Sequence, residues 1–231
     1  FYRSKVNLGT TLLSMSNFDD GFKNYSYRIY EDKNLKDLIH KKKQLWDGQN
    51  LNDKTILVVA EEGLGNTLQF SRYLDTLSQL NGKIIFKCQE DLHHLFEDLN
   101  FLDEIVSLES NVKDFDYWCP LQNLIPLLTP DLNSNCPLPT AIKIDDNKLL
   151  EWETLIEINE NVKIGLNWQG SKSNPKVHNN SIDLKYFKNI IKNESANFIS
   201  LQKGSALLDI EKYKLESEII NYDLLMDNGS K

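Results

Sequence analysis

The chain has 231 residues and a formal net charge of -8, from 26 Lys and Arg against 34 Asp and Glu. That length leaves room for one large or two small domains with sizeable cores, and the acidic balance speaks against a duplex-binding surface, which needs clustered cations to displace counterions. No apolar run approaches the roughly 18–20 residues of a membrane span, and the three cysteines, Cys88, Cys119 and Cys136, are too widely spaced for a zinc site or disulfide framework. They predict reduced thiols in a cytoplasmic setting.

Residues 1–30 read as two short helices. Val6, Gly9 and Leu12-Leu13 form one stripe, and Phe18, Phe22, Tyr25 and Ile29 form the next at helical spacing, with Ser16 or Asn17 available as a cap. Such a pair cannot bury its own apolar faces and needs neighbours. Residues 31–53 are polar and charged and read as a connector, with Lys36 to Lys43 as a solvated helix face. The period then changes. Thr55 to Ala60 is a β-branched, uninterrupted apolar run, as expected for a central parallel strand covered on both faces.

Glu61 to Thr67 is a Gly-rich turn into a helix carrying Phe70, Leu74 and Leu77, which Asn81-Gly82 stops. A strand at Lys83–Cys88 and a helix through Leu92, Leu95, Phe96 and Leu99 follow. Short strands are expected at Glu104–Leu108 and Phe115–Trp118, and a helical turn at Leu124–Leu128. After the Pro-rich stretch from Pro120 to Pro139 comes a helix over Asp145–Glu157. A second βα series then begins with strands at Val162–Trp168 and Asn197–Leu201, a helix at Leu184–Lys192 between them, and a last strand near Ile219–Leu224. Strands alternating with helices at these lengths predict α/β architecture with parallel, doubly wound sheets.

Ligands of open α/β sheets bind at the carboxyl ends of strands, where turns expose N–H groups at helix N-termini. Two places have that character. Gly63-Leu64-Gly65-Asn66-Thr67 is one, although it lacks the third Gly of the dinucleotide fingerprint and the Gly-Lys-Ser/Thr of a P-loop. The other is the loop from Trp168 to Ser181 together with Gln202-Lys203-Gly204, where Lys203 can meet a phosphate as a point charge and Lys172, Lys176 and His178 add positive charge. His93 and His94, beside Glu90 and Asp91, read as surface histidines, and Cys119 has no visible base.

Thr55 to Leu74, with its Glu-Glu-Gly-Leu-Gly-Asn-Thr turn, resembles the opening of glycosyltransferases linked to tetratricopeptide repeats and related to the heptosyltransferases of glycosyltransferase family 9. Further matches come in the same order: Trp46-Asp47-Gly48, Phe115-Asp116 with Cys119-Pro120-Leu121, Gly165 to Gly170, Ser181-Ile182 with Leu184, and Ser200 to Gly204. Asn7-Leu8-Gly9 with Leu12, then Phe18, Gly21 and Tyr25, resembles the last unit of a tetratricopeptide array; a helical hairpin packed on the next domain is the equal alternative. The resemblance implies a GT-B fold. Residues 1–45 would be the repeat-like segment and connector, 46–145 a Rossmann-like first lobe, and 146–231 a linker helix with an incomplete second Rossmann-like lobe, so that sequence is missing at both ends. It implies no metal and no cofactor beyond a nucleotide sugar as donor substrate. The donor would meet Trp168, Lys176, Gln202, Lys203 and Gly204, while Gly63, Gly65 and Asn66 would edge the cleft.

Two departures stand out. The family has Gly-Leu-Gly-Asp in the first turn, and the Asp is its natural general base; here Asn66 cannot take up a proton. Glu61 or Glu62 could substitute. The family also has an Arg before Ser-Ile where this chain has Asn180. The expected function is therefore metal-independent sugar transfer from a nucleotide-activated donor to a protein or polysaccharide acceptor, with protein contacts through the repeat-like segment, and no nucleic acid. The alternative is a non-catalytic scaffold that keeps the fold and lacks the base. An ordinary dinucleotide enzyme is disfavoured because Cys88-Gln89, not an acid, ends the second strand.

Overall fold

The computed structural model describes residues 1–40, 42–61, 63–129, 137–139, 142–156, 161–170, 181–193 and 195–223. Glu62, Cys136, Lys172, Lys176, His178 and Asn180 lie outside the described residues. Two compact units divide the chain, Phe1–Asp145 and Asp146–Lys231. Among the described residues no helix is long and apolar enough to cross a membrane.

The first unit opens with a helical hairpin, α1 (Tyr2–Ser14) and α2 (Phe18–Tyr25), followed by a 3-10 turn at Ser26–Tyr30. Gly9 makes the hairpin close: a methyl group there would lie 2.4 Å from the Tyr25 backbone nitrogen and 2.8 Å from its Cα. Backbone cannot yield as a side chain can. Gly9→Ala gains about 1 kcal/mol in helix propensity but incurs about 1–3 kcal/mol of overpacking, so we expect a net loss of roughly 1 kcal/mol. A urea midpoint unchanged or raised would contradict this. Gly21→Ala meets only the Leu13 side chain below 3 Å, so its cost is expected to be smaller.

Residues 31–53 are more than a connector. They contain α3 (Lys33–His40) and a two-residue strand β1 (Gln44–Leu45). The strands β2 (Thr55–Val59), β3 (Lys83–Cys88), β4 (Glu104–Ser107) and β5 (Tyr117–Pro120) complete a five-stranded sheet of order β1-β5-β2-β3-β4. Every pairing is parallel. β2 is the central strand, as its apolar run suggests. The expected helix after it divides into α4 (Leu64–Phe70) and α5 (Arg72–Ser78). That after β3 runs as a 3-10 turn at Glu90–Leu92 into α6 (His93–Phe96), and a similar turn at Leu121–Asn123 leads into α7 (Leu124–Leu128). β5 starts later than its sequence pattern suggests, because the Asp116 carboxylate accepts from the Thr55 N–H at 2.9 Å and ties down the strand's entry.

Side chains alternate across this sheet with period two. Ile56, Val58, Ile84, Phe86, Cys88 and Cys119 pack on one face with Leu74, Leu77, Phe96 and Leu124. Leu57, Val59, Ile85 and Trp118 pack on the other with Ile29 and Leu35. The second face is thus covered by the 3-10 turn and α3, and residues 26–45 belong to the same packed body as the sheet. Trp46 fixes the edge: its N–H donates to the Trp118 carbonyl at 2.8 Å and its indole to the Gln49 carbonyl at 2.8 Å.

The second unit carries α8 (Asp146–Leu155) and three parallel strands, β6 (Val162–Leu166), β7 (Ala196–Ser200) and β8 (Ile219–Asn221), in the order β6-β7-β8. A 3-10 turn at Leu184–Phe187 leads into α9 (Lys188–Ile191), and another at Gly204–Leu207 into α10 (Leu208–Lys212). Leu166, Trp168, Leu184, Phe198, Ile210 and Ile219 form its core.

Candidate functional site

In the first sheet the chain runs outward from β2 to β4 and then returns to the other side of β2 as β5. The carboxyl ends of β2 and β5 therefore form a topological switch point, where sheets of this kind bind ligands. The Gly-rich turn sits there. Gly63 is the N-cap of α4 in extended backbone at φ -90°, and neither Gly63 nor Gly65 would bring an added methyl within 4 Å of another described residue. Neither packing on a described residue nor left-handed backbone explains these two glycines, and among the described residues the space over them is open. Asn66 lies in the first turn of α4, its N–H donating to the Gly63 carbonyl at 3.1 Å.

The turn is held from two sides. Thr67, fully buried, has its hydroxyl 2.9 Å from the Gln89 side-chain oxygen at the end of β3. On the other side Glu61, 3% exposed, receives both arms of the Arg28 guanidinium, Nε to Oε1 and Nη2 to Oε2, each at 2.8 Å. The Gln122 N–H at the end of β5 donates to the same Oε2 at 3.2 Å. Arg28 lies 4.6 Å from the centre of the Tyr25 ring, a cation–π contact. Burial pushes the Glu61 carboxyl up from its ordinary value, while Arg28 and the Gln122 N–H pull it the other way.

Glu61 is thus committed to a buried ion pair, which corrects its consideration as a substitute base. The pair joins residues 33 positions apart, and no local pattern announces it. Cys119 is buried beside this pair, and burial pushes its thiol up from the ordinary range, as it pushes Cys88 to about 12. Neither is a ready nucleophile. Among the described residues no group of three or more His, Cys, Asp or Glu side chains could hold a metal ion.

In the second unit Gln202 joins the loops that follow β6 and β7. Its Oε1 accepts from the N–H groups of Trp168 at 3.1 Å and Gln169 at 2.8 Å. Its Nε2 donates to the Gln169 and Lys203 carbonyls, both at 3.0 Å. Four hydrogen bonds occupy a side chain only 4% exposed, so Gln202 shapes the loops from beneath. Trp168 is likewise packed into the core, and its indole N–H is buried without a hydrogen-bond partner among the described residues. Lys203 is exposed at the carboxyl end of β7, and Gly204 follows at φ 72°, a conformation that favours glycine.

Parallel sheets with Gly-rich turns at the carboxyl ends of their strands define a Rossmann-like α/β protein, and the fold is glycosyltransferase-like. The crystal structure of the glycosyl transferase family 9 from Veillonella parvula DSM 2008 matches with a TM-score of 0.52, covering 76% of this chain and 71% of that chain at 12% sequence identity. Protein FlbA of Caulobacter vibrioides is 22% identical over 190 residues, covering 74% of this chain. The chain spans about a third of the length of that relative (32%). No family model matches the sequence.

Proposed function

We propose that the protein belongs to a metal-independent transferase of GT-B type that moves a sugar from a nucleotide-activated donor to a protein or polysaccharide acceptor. The helical hairpin would be the end of a tetratricopeptide-like segment engaging protein partners. The observation that carries this reading is the open glycine turn at the switch point of a sheet whose fold is shared with a family 9 glycosyltransferase. The order of the sequence motifs supports it, and so does Lys203, a cation at a strand end beside a glycine. In this reading Lys203 balances the diphosphate as a point charge, and Gln202 holds the two loops in register for it. Lys176 and Gly204 complete the donor side, and Gly63, Gly65 and Asn66 the acceptor side, with Glu62 next to the turn.

Calorimetry with a panel of UDP, GDP and ADP sugars tests the proposal. One of them is expected to give saturable binding that Lys203→Ala weakens about tenfold, as loss of one charge-assisted hydrogen bond would. No binding across the panel at millimolar concentration would remove the transferase reading. Binding without turnover would favour the non-catalytic scaffold.

A further inference from the structure

Three facts about the first unit stand together. Among the described residues nothing comes within 4 Å of a methyl group added at Gly63 or Gly65, so no described side chain packs down on these glycines. The turn is fixed instead from below, through Thr67 to Gln89 on the β3 side and through Glu61 to Gln122 on the β5 side. The second anchor depends on Arg28, a residue of the 3-10 turn at Ser26–Tyr30, outside the sheet and its crossover helices.

We propose that Arg28 is a positioning residue for the Gly63–Thr67 turn. It reaches the turn through Glu61 and so sets the geometry with which the turn meets substrate. The reasoning is electrostatic and geometric. A lone carboxylate buried at the end of β2 would seek water or a proton. The bidentate guanidinium keeps it charged and fixes the plane of its two oxygens. Held in that plane, Oε2 accepts from the Gln122 N–H and binds the ends of β2 and β5 together across the switch point. Glu61 is two residues from the N-cap of α4, so rotation of its carboxylate is passed to the turn over a very short lever. Two consequences follow. The ligand-facing surface keeps its glycines free for close approach. The helical segment and the turn also share one energetic element, so that disturbing either is felt at the other.

This inference rests on the reading that the turn faces substrate, but its test does not require one. Arg28→Met with Glu61→Leu replaces the pair by apolar groups of similar size, a change that is often neutral for stability. Amide hydrogen exchange would be followed at Asn66 to Phe70, with Leu57 and Val58 of β2 as internal controls. We expect exchange at least tenfold faster in α4 with the β2 amides unchanged, and faster exchange in α4 also in Arg28→Lys, which keeps a charge next to Glu61 but not the two-point grip that fixes its plane. Equal acceleration in α4 and β2 would reduce the pair to a general stabiliser and overturn the proposal. So would unchanged exchange in α4. Should the double variant not fold, Arg28→Lys alone gives the same comparison, with protection expected to be lost in α4 and kept in β2. A turn that loosens in a protein binding no nucleotide sugar would end the transferase reading and leave the role of Arg28 standing. Donor binding with an unmoved turn would do the reverse.

Discussion

Arg28→Ala is expected to destabilise the first unit by about 3–5 kcal/mol, the range seen when one partner of a buried ion pair is removed. The size follows from what is left behind. Glu61 is 3% exposed and would keep one hydrogen bond, from Gln122, against the loss of two charge-assisted ones. Tyr25 would lose the cation over its ring, a smaller effect of about 0.5–2 kcal/mol. The loss should also depend on pH with a definite sign. Burial already raises the Glu61 carboxyl and Arg28 opposes it, so the variant's folded-state value rises further above the unfolded value of about 4.3. A raised acid binds more protons folded than unfolded, so stability falls as pH rises through its folded value. The deficit is therefore largest at neutral pH and shrinks toward pH 4. Urea unfolding at pH 7 and pH 5 measures both quantities. A deficit that grows on acidification would show that Glu61 is not the group left exposed to the change.

If the protein transfers sugar as proposed, Asn66→Asp is expected to raise sugar transfer, or donor hydrolysis, by at least tenfold, read as release of nucleoside diphosphate. A positioned general base typically contributes about 10²–10⁴-fold. The expected gain falls below that range because position 66 lies in the first turn of α4, where the helix dipole favours the carboxylate and weakens it as a base. The same location makes the test clean. An acid there favours the helix, so folding should be held or slightly improved, and a change in rate cannot be put down to damaged structure. An unchanged rate with intact donor binding would mean that the proton leaves through another group, and Asn66 would lose its significance as a missing base.

Much of the framework was legible because it follows local rules. The run Ile56–Ala60 is apolar at every position, and β2 is a central strand buried on both faces. Lys83–Cys88 coincides with β3 from end to end. Legibility failed where a feature is too short or too distant to leave a pattern. β1 has two residues and is a strand only because Trp118 and its neighbours pair with it. α3 hides in a polar stretch, and Leu35, fully buried, is its main apolar anchor. Gln202 drew attention as a polar residue at a strand end, yet its amide is consumed by loop backbone. Sequence identifies such a residue as important without saying whether it faces a ligand or the chain. Arg28 and Glu61 drew no joint attention, since a contact across 33 residues, over α3, β1 and β2, has no period.

The covering of one sheet face by Ile29, Leu35 and their neighbours has a practical meaning for anyone cutting or shuffling this gene. The natural-looking cassette beginning at Trp46-Asp47-Gly48 would deliver a sheet stripped on one side, with Leu57, Val59, Ile85 and Trp118 turned to solvent as a sticky plane. Exchange of the helices upstream for another helical segment has to be spliced ahead of Ser26, so that the strip down to Leu45 travels with the sheet it shields.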